Sequence, residues 1–153
     1  MLKSRVLYLF VIIVLLVGMI MGLILATFMV LNVFPVTKLY FLEQGKSLVF
    51  YYLAGAIALL CVVGAEYIGI ILLKMMFSLS KDPFIEANVR ALRGMGVTAL
   101  AIMSLGLSTL LLHPVPLAVI AALPVGLCGL FSLVLSGVFE RAVAYKKEND
   151  LTV

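Results

Sequence analysis

"VLYLFVIIVLLVGMIMGLILATFMVL", residues 6–31, runs without one charged side chain. At about 1.5 Å of rise per residue a helix of this stretch is longer than the ~30 Å of a bilayer's hydrocarbon. A helix that is apolar on every side has no polar face to give to water, so its solvent is lipid. Three further apolar stretches follow, at residues 49–73, 95–112 and 117–139. The chain of 153 residues is 65% hydrophobic and 12% charged, with a mean hydropathy of +1.31, far outside the range of soluble domains. The expected fold is an all-α integral membrane protein: one domain, residues 1–153, with four transmembrane helices. Lys3 and Arg5 before the first run imitate a signal peptide. The run is too long for a signal-peptide core and lacks a clear cleavage site, so it reads as a retained span.

Charge orients the spans. Lys3, Arg5, Lys74, Lys81, Arg90, Arg93, Arg141, Lys146 and Lys147 fall on one side, and only Lys38 and Lys46 on the other. Lys and Arg collect on the cytoplasmic side, so both termini and the segment between spans two and three are expected to be cytoplasmic. The formal charge of +4 is therefore a topological signal, and no direct nucleic-acid contact is read from it. Asn32 and Pro35 mark the exit of span one. After them Lys38, Glu43 and Lys46 alternate with Tyr40, Phe41, Phe50, Tyr51 and Tyr52, a ring density suited to the headgroup layer. His113 to Pro116 ("HPVP") reads as a tight turn, because two prolines stop a helix. Pro124 is expected to kink span four, whose helix can run on into the polar tail from Glu140.

The most polar stretch, "SKDPFIEANVRALRG" at residues 80–94, carries a helix start. Asp82 can cap backbone N–H groups, Pro83 suits the first helical position and Glu86 suits the helix dipole. Phe84, Ile85, Val89 and Leu92 fall on one side, with Glu86, Arg90 and Arg93 mostly opposite. This predicts a short amphipathic helix over residues 83–93 on the membrane surface, with Gly94 and Gly96 offering a bend into span three. It is either a connector or a docking surface formed by Asn88, Arg90 and Arg93, facing a cytoplasmic partner or the chain's own tail. The tail's Glu140, Glu148 and Asp150 match those arginines in charge.

Within the spans Glu66 is the costly residue, since an intramembrane carboxylate costs a few kcal/mol unless paired. It is either a proton, cation or ligand site, or a structural group bonded to a hydroxyl such as Ser104, Ser108 or Ser132 or lying near the interface along its own helix. Gly18 with Gly22, Ala65 with Gly69, and Ser132 with Ser136 are small-residue pairs four apart that let helices approach. They suit packing within the chain or a homo-oligomer. Cys61 and Cys128 sit at mid-span and read as packing groups. His113 is the only histidine, so no metal cluster or catalytic dyad is in view, and no phosphate loop or nucleophile motif occurs. Neither an enzyme nor a cofactor is expected.

The stretch "KDPFIEANVRALRGMG", through Pro83, Phe84, Asn88, Leu92, Arg93 and Gly96, and the ending "ENDLTV", residues 148–153, resemble a bacterial membrane family, domain-of-unknown-function family 2975. The resemblance implies a four-span protein of the bacterial cytoplasmic membrane with no established activity. Genes of the family often lie beside a small helix-turn-helix regulator, which implies a regulatory partner. The expected function is thus a regulatory or binding protein, surrounded by membrane lipids, that engages such a partner through Phe84, Asn88, Arg90, Arg93, Glu148, Asn149 and Asp150. The alternatives are a small transporter or immunity-type protein binding an amphiphile near Glu66, and an accessory subunit of a larger membrane complex.

Overall fold

The structure, a computed structural model, describes residues 2–43, 48–79, 82–112 and 116–151, every element of which is helical. Helix α1 is Leu2–Phe28, and a wider π-helical turn, Met29–Val33, joins it to α2, Phe34–Glu43. Then come α3, Leu48–Leu79, α4, Glu86–Leu112, and α5, Pro116–Leu151. The expected turn at His113 and Pro114, Lys46, Lys81, and the side chain of Asp150 lie outside the described residues.

Four helices are long and apolar enough to cross a membrane, with candidate spans Val6–Leu31, Leu48–Ser78, Glu86–Leu111 and Val119–Asn149. By length and composition the chain is a multi-pass membrane protein. A helical backbone bonds internally, which is the condition for entering hydrocarbon. At 36 residues α5 extends about 54 Å, so its polar end stands beyond a ~30 Å core. The helix running through the tail is as the sequence predicts.

The four long helices form an open row. Consecutive members run antiparallel, with α4 and α5 packed most extensively, α3 on α4 next, and α1 on α3 least. Among the described residues α1 makes no close backbone approach to α4 or α5, and α3 makes none to α5. Hydrophobicity cannot assemble such a row, since lipid tails are as apolar as leucine; close packing of small residues can. The α4/α5 seam is built that way. A Cβ on Gly96 would lie 2.9 Å from the Gly129 carbonyl oxygen, and one on Gly129 would lie 3.0 Å from that of Gly96. Ala99 and Ala122 are buried along the same seam, with Ser132 and Ser136. The Ser132 hydroxyl donates across it to the Leu92 carbonyl at 2.8 Å.

Two expectations about local structure are corrected. The amphipathic segment is not a separate helix with a bend at its end: α4 is continuous from Glu86 to Leu112. Asp82 Oδ1 accepts the Phe84 N–H at 3.0 Å, Asn88 Nδ2 donates to the Pro83 carbonyl at 2.9 Å, and the Asn88 N–H donates to Ile85 at 3.0 Å. These bonds hold the entry in a turn, so the helix starts three residues later than the proline suggests. Gly96 serves the seam and not a bend. Likewise the chain does not leave its helix at Asn32 and Pro35. A proline has no N–H for the preceding turn and crowds it, and the wider turn immediately before Pro35 absorbs that defect. The expected surface loop begins as α2, which packs on α3.

Candidate functional site

Seven residues separate Glu86 from Arg93, and seven separate Glu140 from Lys147. In an antiparallel pair these spacings bring opposite charges together at both ends of a two-turn stretch. Lys147 Nζ donates to Glu86 at 2.5 Å, and Arg93 donates to Glu140 at 3.1 Å. A third pair, Lys146 with Asp82, ties the tail of α5 to the turn before α4. Among the described residues Arg90 pairs only within its own helix, with Glu86 at 3.6 Å, and its side chain is 73% exposed. Lys146, together with the Phe84 N–H, holds the Asp82 carboxyl below the usual carboxylate range.

Between the two helices lies a groove of about 320 Å³. From α4 it is lined by Glu86, Val89, Arg90 and Arg93, and from α5 by Glu140, Val143, Ala144 and Lys147. Each set follows helical spacing of 3, 4 and 7 from its first member, so each helix presents one straight stripe. Both stripes have charges at their ends; between them stand Val89 and Arg90 on α4, and Val143 and Ala144 on α5. Val89 and Val143 are buried at 7% exposure and form the floor, while the charged groups form the rim.

The sequence-predicted site residues divide accordingly. Arg90 and Arg93 line the groove. Asn88 does not present itself to a partner: at 1% exposure it is the largest fully buried side chain, fixed to the Pro83 carbonyl. Phe84 is partly exposed and rests on Phe139, with ring centroids 5.8 Å apart. Glu148 and Asn149 lie exposed on the last turns of α5, outside the groove lining. Among the described residues the expected match between the arginines and the tail's acids is realised once, by Arg93 and Glu140. The other two inter-helix pairs have the reverse sense, with lysines from the tail and acids from the entry to α4. Sequence reasoning treated Lys146 and Lys147 as topological charges only. The shared seven-residue spacing was the signal that would have placed them.

Glu66 lies elsewhere, on the α1 side of α3. A Cβ on Gly22 would lie 3.6 Å from the Glu66 carboxyl carbon and closer still to its oxygen, so the glycine forms a notch for this side chain. The expected hydroxyl partners are not used: Ser104, Ser108 and Ser132 donate to the carbonyls of Ala101, Leu105 and Leu92. Met19 packs into Gly69, whose Cβ would lie 2.9 Å from Met19 Cγ. The Tyr8 hydroxyl donates at 2.6 Å to the Met76 carbonyl in the last turn of α3, where helical carbonyls lack partners of their own. Gly18, paired with Gly22 by spacing, faces open space.

A second cavity, of about 370 Å³, opens between α3 and α5 over α4. Ala65, Ile102, Pro124 and Cys128 are among its lining residues. Both cysteines are free; the Cys61 thiol approaches the Ile102 carbonyl at 3.9 Å. Among the described residues no group of three His, Cys, Asp or Glu is placed to hold a metal ion.

Neither a curated protein nor a solved structure matches the chain. A family model does match, over residues 35–153, a stretch that takes in α3, α4, α5, the groove and the paired tail. That match covers most of the chain, which therefore belongs to the family described as "Protein of unknown function (DUF2975)", here with four candidate membrane-spanning helices.

Proposed function

We propose that the chain is a regulatory or binding protein of the bacterial cytoplasmic membrane, with both termini in the cytoplasm, that holds a cytoplasmic protein at the α4/α5 groove. The observation that carries this reading is the set of three ion pairs linking Asp82, Glu86 and Arg93 of one strand of the hairpin to Lys146, Lys147 and Glu140 of the other. Exposed pairs contribute only about 0–1 kcal/mol each. Three of them in register set an arrangement more than they stabilise it, and what they set is a groove with a charged rim and an apolar floor. The Lys and Arg asymmetry supports placing that rim in the cytoplasm. The family resemblance points to a small helix-turn-helix regulator as the partner.

The test is co-purification of that regulator with the Arg90→Glu, Arg93→Glu double variant. The expected result is loss of the regulator with membrane insertion unchanged; undiminished co-purification refutes the reading. Adding Glu140→Arg restores the internal pair of residue 93, so a packing defect is separated from a lost contact.

A second reading, an accessory subunit of a larger membrane complex, draws on the open row, in which α1 leans on α3 alone among the long helices. A solubilised chain that purifies as a partner-free monomer removes it. The transporter or immunity reading rests on the Glu66 carboxylate, whose place is accounted for by packing on Gly22. Wild-type behaviour of Glu66→Gln in uptake or resistance assays removes that reading.

A further inference from the structure

We infer that Glu66 is a proton-binding site in the seam between α1 and α3, and that α1 stays docked on α3 only while this carboxyl holds its proton. The site is separate from the α4/α5 groove. The four apolar runs, at residues 6–31, 49–73, 95–112 and 117–139, contain one charged residue, Glu66. It stands within a turn of the middle of α3, Leu48–Leu79, and is half-buried. Among the described residues no hydrogen bond or ion pair engages its carboxyl. What it meets is backbone: one carboxyl oxygen occupies the place that a Cβ of Gly22 would take, against the main chain of α1. In mid-helix every N–H is spent on the carbonyl four residues back, whereas each carbonyl oxygen keeps a second lone pair. The notch therefore offers acceptors and no donor. A protonated carboxyl can donate into such a surface; a carboxylate only accepts, and it meets those carbonyls after losing its water. The ligand that fits the site is a proton.

No charge nearby can stand in for that proton. Of the elements packed on α3, α1 carries no charged residue from Val6 to Leu31, and its Tyr8 is about 21 Å along the axis from Gly22. On α2, Lys38 and Glu43 come before the start of α3, about 27 Å along the axis from Glu66. On α4, Glu86, Arg90 and Arg93 all precede Gly94, which faces Ile71, more than a turn beyond Glu66. Within α3 itself, Lys74 is exposed and about 12 Å along the axis, Tyr67 is turned about 100° around the helix, and the Cys61 thiol is directed at the Ile102 carbonyl on α4. With no second ionisable side chain in the apolar runs the proton has no onward carrier, so the site governs a contact and moves no ion. The element that responds is α1. Two further described contacts hold it to α3, Met19 in Gly69 and the Tyr8 hydroxyl on the Met76 carbonyl, and it packs least of the long helices. The wider turn Met29–Val33 before Pro35 already interrupts its α-helical bonding and gives it a place to pivot.

The test uses the full chain in phosphatidylcholine nanodiscs, with Cys61 and Cys128 replaced by alanine and spin labels on cysteines at Leu23 of α1 and Val63 of α3, both exposed. Electron paramagnetic resonance reads the distance between them as pH is raised from about 4, near the ordinary glutamate value, to about 9. A control pair at Val97 and Phe131, also exposed, reports on α4 and α5. With Glu66 present, the α1/α3 distance is short in acid and lengthens as pH rises, the docked-to-undocked ratio falling about tenfold, the worth of one unmade buried hydrogen bond. The control pair does not move. Glu66→Gln keeps a donor that it cannot release, so its distance stays short throughout. Gly22→Leu, which fills the notch, gives the long distance at every pH. A distance that ignores pH with Glu66 present, or a Glu66→Gln chain that follows the same curve, overturns the proposal. So does a control pair that moves in step, because the whole bundle is then opening, and so does a short distance in Gly22→Leu.

Discussion

Replacing Gly129 with alanine adds a methyl group where three atoms of α4 already stand. The new Cβ would lie 2.9 Å from Ala99 Cβ, 3.0 Å from the Gly96 carbonyl oxygen and 3.3 Å from the Leu100 nitrogen. Two of these are backbone, and the third is bonded directly to backbone, so no side-chain rotation relieves the overlap. The helices must part. Two terms compete. Removing a mid-helix glycine gains about 1 kcal/mol of propensity, whereas overpacking a close-packed site costs about 1–3 kcal/mol. With no flexible neighbour the cost falls at the upper end, leaving Gly129→Ala less stable by about 2 kcal/mol. Gly18 is the internal control, because its Cβ would meet nothing within 4 Å. Gly18→Ala keeps the propensity gain of up to about 1 kcal/mol without the overlap. Unfolding by SDS in mixed micelles, followed by helical circular dichroism, compares the two. Opposite signs are expected, about 3 kcal/mol apart. Equal or same-signed shifts would refute the claim that the glycine seam sets the α4/α5 distance.

Gly22→Leu fills the notch that holds Glu66, and is expected to abolish disulfide crosslinking between cysteines placed at Met19 and Gly69, in a background with Cys61 and Cys128 replaced. Arg93→Glu alone is expected to destabilise by no more than about 1 kcal/mol, because both partners are more than half exposed. Combined with Glu140→Arg it should recover, and a double-mutant cycle with no coupling would show the pair to be idle. The Asp82 carboxyl titrates below its ordinary value of about 3.9. A depressed carboxylate stabilises fully above that ordinary value and loses its contribution as pH falls through the lower folded value. The gap in thermal midpoint between the wild type and Asp82→Asn should therefore be constant at neutral pH and close below about pH 4. A gap that persists in acid would exclude the Lys146 pairing as its source.

How much of this is legible in the chain depends on the residue. Four runs of hydropathy locate the long helices, and the unbroken segment from Glu140 to Asn149 forecasts the helical tail. Within the polar stretch at residues 80–94, Asn88 is interior. Its polarity serves the Pro83 carbonyl, and a polar side chain reads the same whether it faces solvent or an orphan backbone group. The start of α4 was misplaced because Asp82 caps a turn and not the helix. The small-residue pairs split too: Gly22 and Gly69 meet side chains of the neighbouring helix, whereas Gly18 meets none.

The sequence by itself determined the class of solvent, the number of long helices and the end of the molecule where charge collects. Transfer of a segment to hydrocarbon is an additive property of its residues, so it can be summed along the chain without knowing any neighbour. Only the tertiary structure decided that the helices form an open row, that Glu66 rests in the Gly22 notch, and that Lys146 and Lys147 reach Asp82 and Glu86. Those outcomes depend on which face of each helix turns inward. In helices that are apolar all round, hydropathy does not distinguish the faces; close approach of glycine backbones and the reach of paired charges do.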